Sequence, residues 1–215
     1  MQQLNIFINE KLKISETSFI LEKLKISSKS KINIKTYKYF PKNRYELKEL
    51  ITKLIKEQGN FVNLNNIDTS KITDMNRLFM YSNFNGDISE WDVSNVTNMS
   101  WMFSDTSFNG DISRWNVSNV ENMKRMFAFS EFNQDISKWD VSNVENMDSM
   151  FASSKFNGDI SEWDVSSLTN MDEMFRYAFF NKDISKWNVS NVINMNNVFI
   201  YSKLEKNPPK WYKKK

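Results

Sequence analysis

The sequence predicts an α/β chain dominated by a solenoid of 24-residue coils, each one short strand plus one helical turn, behind a small N-terminal β-unit and a capping helix. Three observations carry this. Trp91, Trp115, Trp139, Trp163, Trp187 and Trp211 fall every 24 residues, and Asp87 to Asp183 and Met99 to Met195 keep the same step. A fixed period of roughly 20–50 residues marks units that bury their apolar faces only against their neighbours. Within a unit, "DISEWDVSNV" (Asp87–Val96) sets Ile88, Trp91, Val93 and Val96 among polar residues, which reads as a short strand. The following "NMSWMF" (Asn98–Phe103) places Met99, Met102 and Phe103 at i, i+3 and i+4, one face of a helical turn.

The elements follow in chain order. Residues 1–59 are expected to form a basic unit, with strands in "LNIFI", "KLKIS" and "INIKTYKY" and a helix over 43–58. Asn43 suits the N-cap with Glu46 three residues on, Leu47, Leu50, Ile51, Leu54 and Ile55 form an apolar stripe, and Gly59 suits the C-terminal cap. That stripe needs a partner and a solenoid needs a lid, so the helix is expected to close the first coil. Residues 60–203 hold one degenerate and five clear repeats. In the degenerate one Ile67 takes the Trp slot, and Met75, Leu78 and Phe79 take the MxxMF slots. Over 204–215 Leu204 takes a Phe slot and Trp211 a Trp slot, while Pro208 and Pro209 replace Ile-Ser, giving a partial capping repeat and a basic tail.

Composition narrows the chemistry. Residues 1–60 carry 13 Lys/Arg against 6 Asp/Glu, residues 61–203 carry 11 against 19, and the last twelve carry 5 against 1. A basic start, an acidic body and a basic tip present three electrostatic regions. There is no Cys and no His, which removes disulfides, thiolate nucleophiles, Cys/His zinc sites and the commonest general base near neutral pH. Glu10, Lys11 and Lys13 interrupt the apolar core that a secretory signal needs, and no apolar run reaches the ~20 residues of a membrane span. A cytoplasmic location and no membrane span are therefore expected.

The repeat "FNxDISxWDVSNVTNMxxMF" resembles that of BspA-like leucine-rich-repeat proteins, including a mycoplasma-type domain of unknown function. The resemblance covers Asn60 to about Trp211. It implies a leucine-rich-repeat-like solenoid and, by analogy with some members, a surface adhesin that binds host proteins.

Positions identical in every unit read as scaffold. The Asp ladder is expected to accept backbone N–H groups in turns, and the Trp ladder to be core. No catalytic residue, metal or cofactor is expected, since an active site is normally singular and these groups recur in every coil. Recognition is expected where the units differ, in the slots after Met and after Phe. The residues there with interface chemistry are Tyr81, Trp101, Arg125, Phe129, Tyr177, Phe179 and Tyr201. A third variable row, Glu90, Arg114, Lys138, Glu162 and Lys186, has mixed signs and reads as a solvated face. The leading functional reading is a non-enzymatic protein-binding module with an intracellular protein partner, one form of which is a phage or mobile-element inhibitor of a host protein. The alternatives are the adhesin, and a nucleic-acid-linked role as an acidic DNA mimic or through the basic N-terminal unit. A net of −8 over residues 61–203 is mild for a mimic, which disfavours nucleic acid.

Overall fold

The computed structural model describes residues 5–9 and 33–213. Strands β1 (Asn5–Asn9) and β2 (Asn33–Tyr37) pair in parallel with Ile6 opposite Ile34. The expected strand in "KLKIS" lies outside the described residues. Beyond β2 the backbone runs on to the repeats: Tyr39 bridges Ile67, and the N–H of Asp68 donates to Tyr39 O at 2.9 Å.

Helix α1 (Arg44–Gln58) starts where its cap chemistry dictates. Asn43 Oδ1 accepts the N–H groups of Tyr45 and Glu46 at 3.0 and 3.1 Å, and Glu46 returns a carboxylate to the N–H of Lys42 at 2.8 Å. Gly59 ends the helix at φ 88°, its N–H donating to Ile55 O at 2.8 Å. Leu47, Ile51 and Leu54 are buried in the same apolar cluster as the repeats, with Leu50 and Ile55 partly covered at its margin.

From Asn63 onward each 24-residue coil lies parallel on the one before. Single parallel bridges join Asp74 to Asn98 and then Asn98, Asn122, Asn146, Asn170 and Asn194 in turn. Like residues stack: Phe103 on Phe127 at 5.7 Å, Phe108 on Phe132 at 6.3 Å, Trp163 on Trp187 at 6.5 Å. Within a coil Phe103 meets Phe108 at 4.3 Å, so two phenylalanine columns interlock into one aromatic spine. Every Phe of the two columns is at most 1 % exposed, from Phe79 to Phe199 and from Phe84 to Phe180. Burying such a ring contributes about 1.5–3 kcal/mol. Among the described residues no helix is long and apolar enough to cross a membrane.

The local geometry differs from the strand-plus-helix drawing. No residue of Ile88–Val96 lies in a strand. Asp87 Oδ1 takes the N–H of Ser89 and Asp92 Oδ1 that of Ser94, at 2.9 and 3.0 Å, and Trp91 and Val96 donate back to Ile88 O and Val93 O. Two side-chain-closed corners therefore turn the chain, and the apolar residues face inward because they line the inside of a bend. The MxxMF stretch is not a continuous helical turn either. Met102 N–H donates to Met99 O, but Trp101 between them has φ 61°, and Met99, Trp101 and Phe103 donate their N–H groups to the next coil.

Candidate interaction face

The segments that join the coils also build the outward face. In the segment Met99–Asp105 the N–H groups of Met99, Trp101, Phe103 and Asp105 donate to Asn122, Lys124, Met126 and Ala128 O at 2.8–2.9 Å. The same four bonds repeat at every step from the segment opening at Met75 to that opening at Met195. They alternate along the chain and all point toward the next coil.

Meeting that register puts two residues per segment in the left-handed region. Twelve non-glycine residues have φ between 53° and 61°. They form two rows: Arg77, Trp101, Arg125, Ser149, Glu173 and Asn197, and four residues further on Tyr81, Asp105, Phe129, Ser153, Tyr177 and Tyr201. A left-handed non-glycine residue costs roughly 1–2 kcal/mol. The conformation holds because the N–H of each residue in the first five segments is bonded to a carbonyl of the next coil.

Six of the seven residues predicted from sequence occupy these rows, and Phe179 lies two residues past Tyr177. In the second row Tyr81 is 71 % exposed, Phe129 56 %, Tyr177 48 % and Tyr201 62 %, with Phe179 at 55 %. The first row is more enclosed. Trp101 is half-buried, with the guanidinium of Arg77 5.5 Å from its ring on one side and that of Arg125 4.7 Å on the other. Arg125 Nε is buried with no hydrogen-bond partner among the described residues. Sequence reasoning missed Arg77, although it fills the slot of Trp101 one coil earlier, which was the available signal.

At the far end Tyr177 and Tyr201 stack at 4.6 Å, and the guanidinium of Arg176 sits 5.1 Å from the Tyr177 ring. Glu173 anchors Arg176 through bonds of 3.0 and 3.1 Å and holds it firmly cationic. Lys203 Nζ lies 5.9 Å from the Phe179 ring. The structure thus brings together Trp101 with Arg125, and Tyr177 with Tyr201. Tyr81 and Phe129 stand apart, with Asp105 of the intervening coil between them in the row. Trp101 and Tyr177 are three coils apart, about 15 Å at one strand spacing per coil.

The invariant ladders are engaged in structure. Asp111, Asp135, Asp159 and Asp183 accept the N–H of the Ser two residues on at 2.9–3.0 Å, and this bond together with one from the same Ser hydroxyl (the larger influence at Asp183) holds their carboxyls below the usual range. Each repeat Trp from Trp91 to Trp187 is at most 4 % exposed and donates Nε1–H to a backbone carbonyl 27 residues earlier at 3.0–3.2 Å. Glu90, Arg114, Lys138, Glu162 and Lys186 are all exposed, with Lys186 paired to Glu162 at 2.9 Å.

A family model described as "Mycoplasma protein of unknown function, DUF285" matches residues 47–155 and again 128–215. No curated protein and no solved structure matches the chain.

Proposed function

We propose, for a chain that belongs to the Mycoplasma DUF285 family of unknown function, a non-enzymatic protein-binding module that reads its partner with the two left-handed rows. The repeat architecture is, in this reading, a leucine-rich-repeat-like solenoid of BspA type, and α1 is its N-terminal cap. The coils serve as a ruler that sets the rows at fixed intervals. The partner is an intracellular protein; inhibition of a host protein by a phage or mobile-element product is one form the interaction takes.

The observation that supports this most is where the large side chains go. Inside the coils Phe, Trp and Met are withdrawn from solvent, whereas Tyr81, Phe129, Tyr177, Phe179 and Tyr201 are exposed in the variable slots. Aromatic side chains and Arg presented on a rigid backbone are the groups that anchor protein interfaces. The test is affinity capture from native-host lysate with the intact protein beside Trp101→Ala/Tyr177→Ala/Phe179→Ala, the variant first matched to the parent by circular dichroism. A partner held by the parent and lost by the variant is expected. A partner held equally by both moves the site off the rows.

A further inference from the structure

Four cations stand in the ladder segments that build the outward face: Arg77, Lys124, Arg125 and Arg176. Two of them are neutralised, Lys124 by Asp148 at 2.8 Å and Arg176 by Glu173 at 3.0 Å. Arg77 and Arg125 make no ion pair and no side-chain hydrogen bond among the described residues. Both turn to Trp101 instead, which takes one guanidinium on each side and compensates the charge of neither. Arg77 is exposed and Arg125 is partly so.

Stacking on Trp101 orients these two charges before any ligand arrives, so that less freedom is lost when they are paired. The second row sets a contrast on the same three coils. Tyr81 and Phe129 are exposed on the coils of the arginines, and Asp105 is exposed on the coil of Trp101. A nucleic-acid backbone is anionic throughout and would bring phosphate to Asp105 as readily as to the arginines. Nor can a base stack on Trp101, since both faces of the ring are taken. The ligand that fits carries its anions in one row and apolar groups in the other, which is a property of a protein.

Spacing decides the form of that ligand. The two arginines are two coil steps apart, roughly 9.6 Å at one strand spacing per coil. In an extended strand, residues on one face recur at about 6.7 Å and then about 13 Å, and neither matches. On an α-helix, residues seven apart share a face at about 10.5 Å, a mismatch that flexible side chains absorb. A helix laid along the stack also meets roughly one coil with each turn. A second copy does not supply the pattern: in α1, Lys53 and Lys56 stand seven residues after Glu46 and Glu49. We infer that the Arg77–Trp101–Arg125 stack binds two carboxylates set seven residues apart on a helix of the partner protein. This rests on the protein-binding reading of the rows and names the chemistry they select. Trp101 is then a positioning residue for the arginines, and Tyr81 and Phe129 receive the apolar flank of the same helix.

The probe is a fluorescein-labelled Ala/Gln helical peptide of about 18 residues. It carries glutamates at its fifth and twelfth positions and leucines at its fourth, eighth and fifteenth. It is titrated into the full chain at low salt and followed by anisotropy and by the indole N–H resonance of Trp101. Saturable binding that shifts this resonance is expected. Moving the second glutamate to the ninth position, which leaves the protein untouched, should weaken it at least about fivefold. Arg77→Gln/Arg125→Gln, matched to the parent by circular dichroism, should weaken it at least about tenfold. Lys138→Gln/Lys182→Gln removes the same charge elsewhere and should leave it unchanged. Arg77→Glu/Arg125→Glu should regain binding when lysines replace the two glutamates of the peptide, a reversal that a merely structural role of the arginines would not give. No saturation up to about 1 mM overturns the inference, as does equal affinity for the two glutamate spacings. Tighter binding of a duplex DNA of equal charge overturns the protein ligand. Peptide binding that survives loss of both arginines but is abolished by Tyr81→Ser/Phe129→Ser overturns the carboxylate pair alone and leaves the rows as the binding face.

Discussion

The two ends of the stack are chemical opposites. Because the four bonds of every step run one way, the first ladder segment is left with carbonyls and the last with N–H groups. At the first end α1 answers with cations: Arg44 reaches Asn76 O at 3.3 Å and Lys48 reaches Leu78 O at 2.5 Å, while Leu47, Ile51 and Leu54 cover the apolar core. At the last end one anion, Glu205, answers one donor, and a half-coil covers part of the core. The logic is that of helix capping transferred to a sheet-like ladder, where unsatisfied ends attract the charge that completes them. Among the described residues one end is covered by a helix and the other by a half-coil.

The largest effect should come from weakening the helix cover. Leu47→Ala is expected to lose about 2–5 kcal/mol in urea unfolding, as for other fully buried leucines. Tyr212→Ala at the other end should lose only about 0.5–1.5 kcal/mol, the worth of an aromatic contact beyond simple burial. Equal losses would erase the asymmetry. Next comes Gly86, where an added Cβ would lie 2.1 Å from Val62 O in the first coil. Gly86→Ala should therefore lose about 1–3 kcal/mol. At Gly110 the nearest atom to such a Cβ is the Phe108 ring at 2.8 Å, and the slot already holds Gln134 and Lys182 in later coils. Gly110→Ala should stay within about 1 kcal/mol of the parent. A similar loss at both would place the constraint in every coil instead of the first.

Lys48→Met keeps most of the stem and deletes the donor to Leu78 O, and should cost about 1 kcal/mol by the same unfolding assay. The smallest effect is that of pH. Asp111, Asp135 and Asp159 sit below the ordinary carboxylate range because the N–H and then the hydroxyl of the following Ser bind the ionised form, and Asp183 does so through the Ser185 hydroxyl first and its N–H second. A folded-state value below the unfolded one means that the contribution is full above the unfolded value of about 3.9 and fades as pH falls through the folded values. The urea midpoint should fall between about pH 5 and pH 2.5, by less in Ser137→Ala, which loses the hydroxyl bond to Asp135. Since these corners recur in every coil, acid should weaken both ends alike.

Much of this was legible in the residues because repetition exposes it. Asn43, Glu46 and Gly59 announced α1, and the columns Trp91 to Trp187, Met99 to Met171 and Phe84 to Phe180 are buried as their periodicity implied. The variable aromatics were legible as exceptions to that period. What the pattern concealed was backbone hand. Alternation in "DISEWDVSNV" comes from corners tied by Asp87 and Asp92, and nothing in "MSWMF" signals that Trp101 is left-handed. A bulky residue is a poor marker for positive φ, since local preference opposes it and only the bonds to the next coil impose it. Arg77 was missed because it was read as part of a worn repeat, whereas its position in the row sets it against Trp101.

A ladder in which every rung is bonded only to the rungs beside it has a further property. Duplication or loss of the one coil Asp135–Gly158 would leave each surviving rung with a parallel neighbour offering the same backbone bonds on both sides. The arginine–tryptophan cluster and the tyrosine pair would keep their own geometry while the gap between them changed by one fixed increment. Slippage in the gene thus becomes a gauge adjustment in the protein, letting the spacing between two contact points evolve in discrete notches while the contact points themselves are inherited intact.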